Sequence, residues 1–163
     1  MHNGGAILLA EDNPDDVQLL RLALRKAGIS NPLIVLPDGE QAIQYLAGEG
    51  PYEDREQYPL PSLILLDLIM PSVSGFEVLA WLRQQPDLKH LPVVVLTSWT
   101  VSPDVTKAYQ LGANALLIKP VELNDLVASV KRMADFWLGQ CRLPELSPAM
   151  ASLMSRASPV LPS

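Results

Sequence analysis

The chain of 163 residues is short of several things, and each shortage closes off a class of protein. There is one cysteine, Cys141, so neither an internal disulfide framework nor a cysteine-based zinc cluster can be built. Aromatic residues are only 6% of the chain against 48% apolar, so the core must be aliphatic. Basic residues are outnumbered, 12 to 18, for a net charge of −6. Coating nucleic acid or anionic lipid is disfavoured, because nothing would neutralise the phosphates. No aliphatic run exceeds five residues, and Leu63–Leu66 is four, far too short to span a bilayer. The first residues, Met1 to Gly5, lack the basic and apolar regions of a signal peptide. These shortages leave an intracellular, cytoplasmic α/β or α domain as the expectation.

What is present alternates. Five aliphatic runs read as strands: Ala6–Ala10, Leu33–Leu36, Ser62–Leu66, Pro92–Leu96 and Ala115–Ile118. Their near-continuous apolarity suits strands covered on both faces, as in a parallel sheet. Between them lie helical stripes: Val17, Leu20, Leu24 and Ala27; then Ala42, Ile43 and Leu46; then Val78, Leu79 and Leu82; then Val105, Ala108 and Leu111. The last stripe runs from Glu122 to about Leu138 and carries Leu126, Val130, Met133 and Trp137. Asn13-Pro14-Asp15-Asp16 reads as a helix start: a capping Asn, Pro in the first turn, and two acids at the positive dipole end. Gly28 and Gly112 fall where helices should stop. The expectation is a doubly wound, five-stranded parallel sheet with five helices. A long polar connection, 48–61, precedes the third strand and reads as a surface loop. After the α/β fold, placed at 1–140, residues 141–163 hold four prolines and five serines and read as a tail, with a short amphipathic helix around Leu146–Met154.

Chemistry gathers at the strand ends. Glu11 and Asp12 follow the first strand, Asp67 the third, Thr97 and Ser98 the fourth, Lys119 and Pro120 the fifth. In a parallel sheet these ends share one rim, where such folds bind ligands. Singly, each residue has a plain reading: a turn carboxylate, a strand-end hydroxyl, a surface lysine. Jointly they make three carboxylates, a hydroxyl and one ammonium. Two carboxylates 4 Å apart repel by about 4 kcal/mol at an effective dielectric of 20. One lysine cannot balance three acids, whereas Mg²⁺ accepts a few carboxylates and keeps its waters. An acidic Mg²⁺ site beside Lys and Thr suits phosphoryl handling, with a carboxylate as nucleophile. Asp15 and Asp16 read only as helix-capping acids.

At these residues the chain resembles the receiver domain of two-component response regulators. The resemblance runs from about Ile7 to Leu138. It is carried by Leu9-Ala10-Glu11-Asp12-Asn13, Leu66-Asp67-Leu68-Ile69-Met70-Pro71, Gly75, Leu96-Thr97-Ser98 and Ile118-Lys119-Pro120. It implies Asp67 as phosphoacceptor, Thr97 as switch hydroxyl and Lys119 as the group that pairs with the phosphoryl. It further implies Mg²⁺ held by Asp12, Asp67 and the backbone carbonyl of Ile69, with Glu11 acting through water. It also implies a cis bond before Pro120. The 48–61 insertion, Asn13-Pro14-Asp15-Asp16, Lys119-Pro120-Val121-Glu122-Leu123 and Phe136-Trp137-Leu138 resemble the single-domain regulators that partner phytochrome-type histidine kinases.

Departures carry information too. Leu116 stands where the family often has an aromatic that moves with the switch hydroxyl, so the usual coupling is not implied here and a different side chain is open as the reporter of activation. Trp99, two residues past Thr97, would shield an acyl phosphate from water and slow its hydrolysis. No effector domain fits in 141–163, so output falls to a partner or to self-association. Phe136 lies about 120° from the core stripe of the last helix, and with Leu138 it makes a candidate homodimer contact. A pseudo-receiver scaffold stays open as an alternative, although no acid or lysine is missing. An Asp-nucleophile phosphatase would want a second acid two residues past Asp67, where Ile69 stands. An FMN binder would want a hydroxyl- and glycine-rich loop where Glu11 and Asp12 stand.

Overall fold

A computed structural model describes residues 5–98 and 102–140. The aliphatic runs form strands β1 (Ile7–Ala10), β2 (Leu33–Leu36), β3 (Leu63–Asp67), β4 (Val93–Thr97) and β5 (Ala115–Ile118). All pairings are parallel and the order is β2-β1-β3-β4-β5. The doubly wound α/β expectation is therefore met, each strand lying within about one residue of its expected span. Alternate strand residues feed opposite cores. Leu8, Ile64, Leu66, Val93 and Val95 face one; Ile7, Leu9, Leu63, Leu65 and Val94 face the other.

Helices α2 (Gly39–Ala47), α3 (Gly75–Arg83) and α4 (Ser102–Gln110) serve the first core, α1 (Pro14–Lys26) and α5 (Leu123–Ala134) the second. The Asn13 side chain accepts from the Asp15 N–H with Pro14 in the first turn, so α1 starts as its sequence indicates. It buries Val17, Leu20, Ala23 and Leu24; each large side chain among them contributes about 1.5–3 kcal/mol. Ser74 and Glu77 close a reciprocal capping box at α3, directly after the loop that follows β3. Gly75, the first residue of α3, sits against the backbone of Asp67: a β-carbon there would lie 2.2 Å from the Asp67 carbonyl oxygen. Only glycine lets α3 approach the end of β3 this closely.

Three expectations need correcting. The 48–61 connection is not merely a polar surface loop. It contains a 3₁₀ turn at Gly50–Tyr52, and its last two residues, Leu60 and Pro61, are buried. Arg55 donates to the carbonyls of Tyr45 and Leu46, both at 2.8 Å, and so caps the end of α2. Tyr45, Tyr52 and Tyr58 pack together, two of the three pairs edge to face, and Tyr45 donates to the Pro59 carbonyl at 2.7 Å. Aromatic faces scattered through a charged stretch gave that stretch an apolar side its composition concealed.

The second correction concerns the last helix. Its α-helical part ends at Ala134 and wider π turns continue over Asp135–Gln140. The change of period buries Leu138 and leaves Trp137 half-buried, so Leu138 is core and not a partner of the exposed Phe136. Third, no cis peptide bond occurs among the described residues, so the bond before Pro120 is trans. Lys119 is aimed at the rim without it: its N–H donates to the Thr97 carbonyl at 2.9 Å, continuing the β4–β5 pairing. Trp99, Cys141 and the suggested helix at Leu146–Met154 lie outside the described residues.

Candidate functional site at the strand ends

Strand order puts β1, β3 and β4 at the centre of the sheet with β5 beside β4, so their carboxyl ends converge. The rim holds Glu11 and Asp12 after β1, Asp67 at the end of β3, Thr97 at the end of β4 and Lys119 after β5. Glu11, Asp67 and Thr97 are buried and Asp12 is exposed. Carboxylate oxygens of Glu11, Asp12 and Asp67 lie within 4.8 Å of one another. These hard oxygen donors, two buried and one open to solvent, fit a divalent cation such as Mg²⁺ that keeps part of its water shell. Ile69, whose carbonyl the sequence reading adds to this set, is 53% exposed, so it stands at the solvent edge of the rim.

Lys119 reaches into the acids from the far side. Its Nζ lies 2.6 Å from Glu11 Oε2 and 3.0 Å from Asp16 Oδ2, but 3.8 Å from Asp67 Oδ2. Glu11 also accepts from the Asn13 N–H at 3.2 Å, which ties the capping turn of α1 to the site. Burial lifts the Glu11 carboxyl to about 7; the hydrogen bond from Lys119 opposes the rise and the charge of Asp67 adds to it. Asp67 is likewise raised by burial, against the pull of Lys119 and of a 3.4 Å contact from the Ile69 N–H. For Lys119, burial alone acts downward, but the hydrogen bond to Glu11 and the charge of Asp67 outweigh it and the ammonium is held above its ordinary value. Among the described residues, the site is thus an excess of negative charge restrained by one cation, Lys119.

The polar residues that the sequence places at the strand ends, Glu11, Asp12, Asp67, Thr97 and Lys119, stand on this rim. Two features were not legible. Asp16, read as a helix-capping acid, is also a direct partner of Lys119; its signal was only its place one turn into α1, beside the acidic pair. The loop after Asp67 contains Ser72 at φ 65°, with the Val73 N–H donating to the Pro71 carbonyl at 2.8 Å, a strained three-residue turn. Leu116, at the position of the missing aromatic, is half-buried against the core that α4 helps to cover.

A parallel α/β sheet with this rim is the receiver architecture, and residues 7–131 match the response regulator receiver domain family. The chain belongs to that family. Among its relatives, response regulator Rcp1 of Synechocystis sp. is 44% identical over 138 residues, covering 85% of this chain and 92% of Rcp1. The crystal structure of the Mn²⁺-bound form of Rcp1 superposes with a TM-score of 0.76 at 42% identity, over 86% of this chain and 99% of that one. The phosphorylated cyanobacterial phytochrome response regulator RcpA gives a TM-score of 0.79 at 37% identity, over 86% of this chain and 99% of RcpA. The chain is therefore a relative of the phytochrome response regulators. Among the described residues no helix is long and apolar enough to cross a membrane.

Proposed function

We propose that this protein is a cytoplasmic phosphoacceptor that takes a phosphoryl group from a histidine kinase onto Asp67 and signals through changed protein contacts. The carrying observation is the placement of Asp67: a buried carboxylate at the end of a central strand, flanked by Glu11 and Asp12 and faced by Lys119. Asp12, Asp67 and the Ile69 carbonyl would hold Mg²⁺ directly and Glu11 through water, and the ion when bound would offset the negative charge of the incoming phosphoryl oxygens. An Asp67 carboxylate oxygen attacks phosphorus. The new O–P bond forms as the P–N bond to the kinase imidazole breaks, and the imidazole keeps the electron pair and takes up a proton. Lys119 pairs with the transferred group and Thr97 donates its hydroxyl to it. The protein is consumed stoichiometrically in this step and is not an enzyme in the turnover sense.

The relationship to Rcp1 and RcpA supports a phytochrome-type kinase as the donor. For output, Phe136 is half exposed and stacks edge to face on Trp137 at 4.9 Å, above a groove of about 300 Å³ lined also by Met133, Ala115 and Leu117. This apolar end supports a homodimer through the C-terminal helix region, with residues 1–140 as the receiver unit and 141–163 as a tail.

Incubation with acetyl phosphate and Mg²⁺, read by intact mass and by light scattering after size exclusion, tests both parts. The expected result is one phosphoryl gained, lost in Asp67→Asn and without Mg²⁺. An intact fold that takes no phosphoryl from acetyl phosphate or from a kinase would favour the scaffold reading. A dimer that Phe136→Ser leaves unchanged would remove Phe136 from the interface.

A further inference from the structure

Lys119 is held by more than the acids of the proposed cation site. Of its three carboxylate partners among the described residues, Glu11 and Asp67 belong to the acidic trio, whereas Asp16 does not. Asp16 projects from the first turn of α1, a turn fixed by the Asn13 cap and Pro14. The clamp rests on an apolar shelf that includes Leu9, Leu20, Leu96 and Leu126. With one side shut off from water, the pair is screened less than a surface ion pair. The resulting position of the ammonium is informative. It lies 2.6 and 3.0 Å from the oxygens of Glu11 and Asp16, and 3.8 Å from Asp67, outside hydrogen-bond range of the group it must serve.

The geometry points to Asp16 as a positioning residue that restrains Lys119 in the unphosphorylated protein and competes with the phosphoryl group for its ammonium. This rests on the reading of Asp67 as phosphoacceptor and adds a residue to it. Asp16 is the weaker of the two close holds: its side chain is 38% exposed, against 3% for Glu11. It is therefore the one to release when a group of higher charge appears on Asp67. By linkage, any free energy of the Lys119–Asp16 pair that is lost on phosphorylation is subtracted from the stability of the phosphorylated state.

Two measurements on the full chain test this, each made on wild type, Asp16→Asn, Asp16→Glu and Asp15→Asn. The first is the affinity for beryllium trifluoride, a phosphoryl analogue, in Mg²⁺. The second, in metal-free protein, is the acetylation rate of Lys119 relative to the exposed Lys89, by peptide mass spectrometry. Asp16→Asn should bind the analogue about two- to fivefold more tightly, the range of a partly exposed ion pair. It should also acetylate Lys119 faster, with Asp16→Glu returning both values toward wild type and Asp15→Asn changing neither. Equal effects from Asp15→Asn would reduce the result to net charge and overturn the proposal. So would Asp16→Asn values matching wild type, or weaker analogue binding. If wild type binds no analogue and accepts no phosphoryl, the phosphoacceptor reading fails and the competition with it. A normal phosphoacceptor with an indifferent Asp16 sinks the restraint alone.

Discussion

Replacing Gly75 with alanine should damage stability and phosphoryl uptake together, because the added methyl meets the backbone that presents Asp67. The β-carbon would lie 2.2 Å from the Asp67 carbonyl oxygen, 2.7 Å from Leu68 Cα and 2.9 Å from the Asp67 carbonyl carbon. Ordinary contact needs about 3.5 Å, so the start of α3 and the end of β3 must part by about 1 Å. No rotamer change can relieve this, since all three atoms are main chain. The Gly75 N–H also donates to the Leu68 carbonyl at 2.9 Å, and separation stretches that bond. Overpacking of this kind costs up to about 3 kcal/mol, and the intrinsic preference of a helix for alanine returns at most about 1 kcal/mol. The expected net loss is about 2 kcal/mol in urea unfolding. A reacting group displaced by about 1 Å loses on the order of 10²-fold in rate, to be read as the initial rate of phosphoryl gain from acetyl phosphate. Gly28→Ala is the control. Gly28 has φ +79° but open space around it and no contact with the rim, so it should lose about 1 kcal/mol and keep its rate. A Gly75→Ala protein with wild-type midpoint and wild-type rate would refute the reasoning.

Arg83 donates to the carbonyls of Gly112, Lys89 and Leu91 and to the Asn114 side chain, all within 2.9 Å, joining the end of α3 to the turn before β5. Arg83→Met should cost about 2–4 kcal/mol in denaturant unfolding, because several acceptors lose charged partners at once. Tyr45→Phe should cost about 1 kcal/mol at neutral pH by orphaning the Pro59 carbonyl. Burial raises the Tyr45 phenol above its ordinary 10.0, so the folded protein keeps a proton that the unfolded chain sheds. Wild type should therefore lose stability as pH climbs past about 10, and the slope should be shallower in Tyr45→Phe. Asp67 has its carboxyl raised, so its charge opposes folding at neutral pH. Asp67→Asn should raise the metal-free melting temperature while diminishing the stabilisation that Mg²⁺ confers, both visible in one set of thermal scans.

The sheet was legible because parallel strands buried on two faces have no room for polar residues, and the aliphatic runs stand out for that reason. The rim was legible for the converse reason: a charged side chain directly after such a run has nowhere to go but the strand end. Less local features were not. Arg83 and Arg55 look like surface cations in the sequence, and only folding brings carbonyls from distant turns around their guanidinium groups. Asp16 satisfies a capping rule and a long-range ion pair at once, and the nearer explanation hid the farther one. Leu138 turned inward because the last helix changes its period, which a fixed 3.6-residue count cannot register.

The division of the interior into two separate cores has a bearing on how the chain is made. The core beneath α2, α3 and α4 draws on residues between Leu8 and Leu116, all of which have been synthesised before α5 begins. The other core needs both α1 and α5, the first and last α-helices of the described chain. On a ribosome, the flank of α1 that faces α5 must wait, bare, until nearly the whole domain has emerged. The middle of the molecule can close early, while its two ends meet last and complete the fold as a clasp.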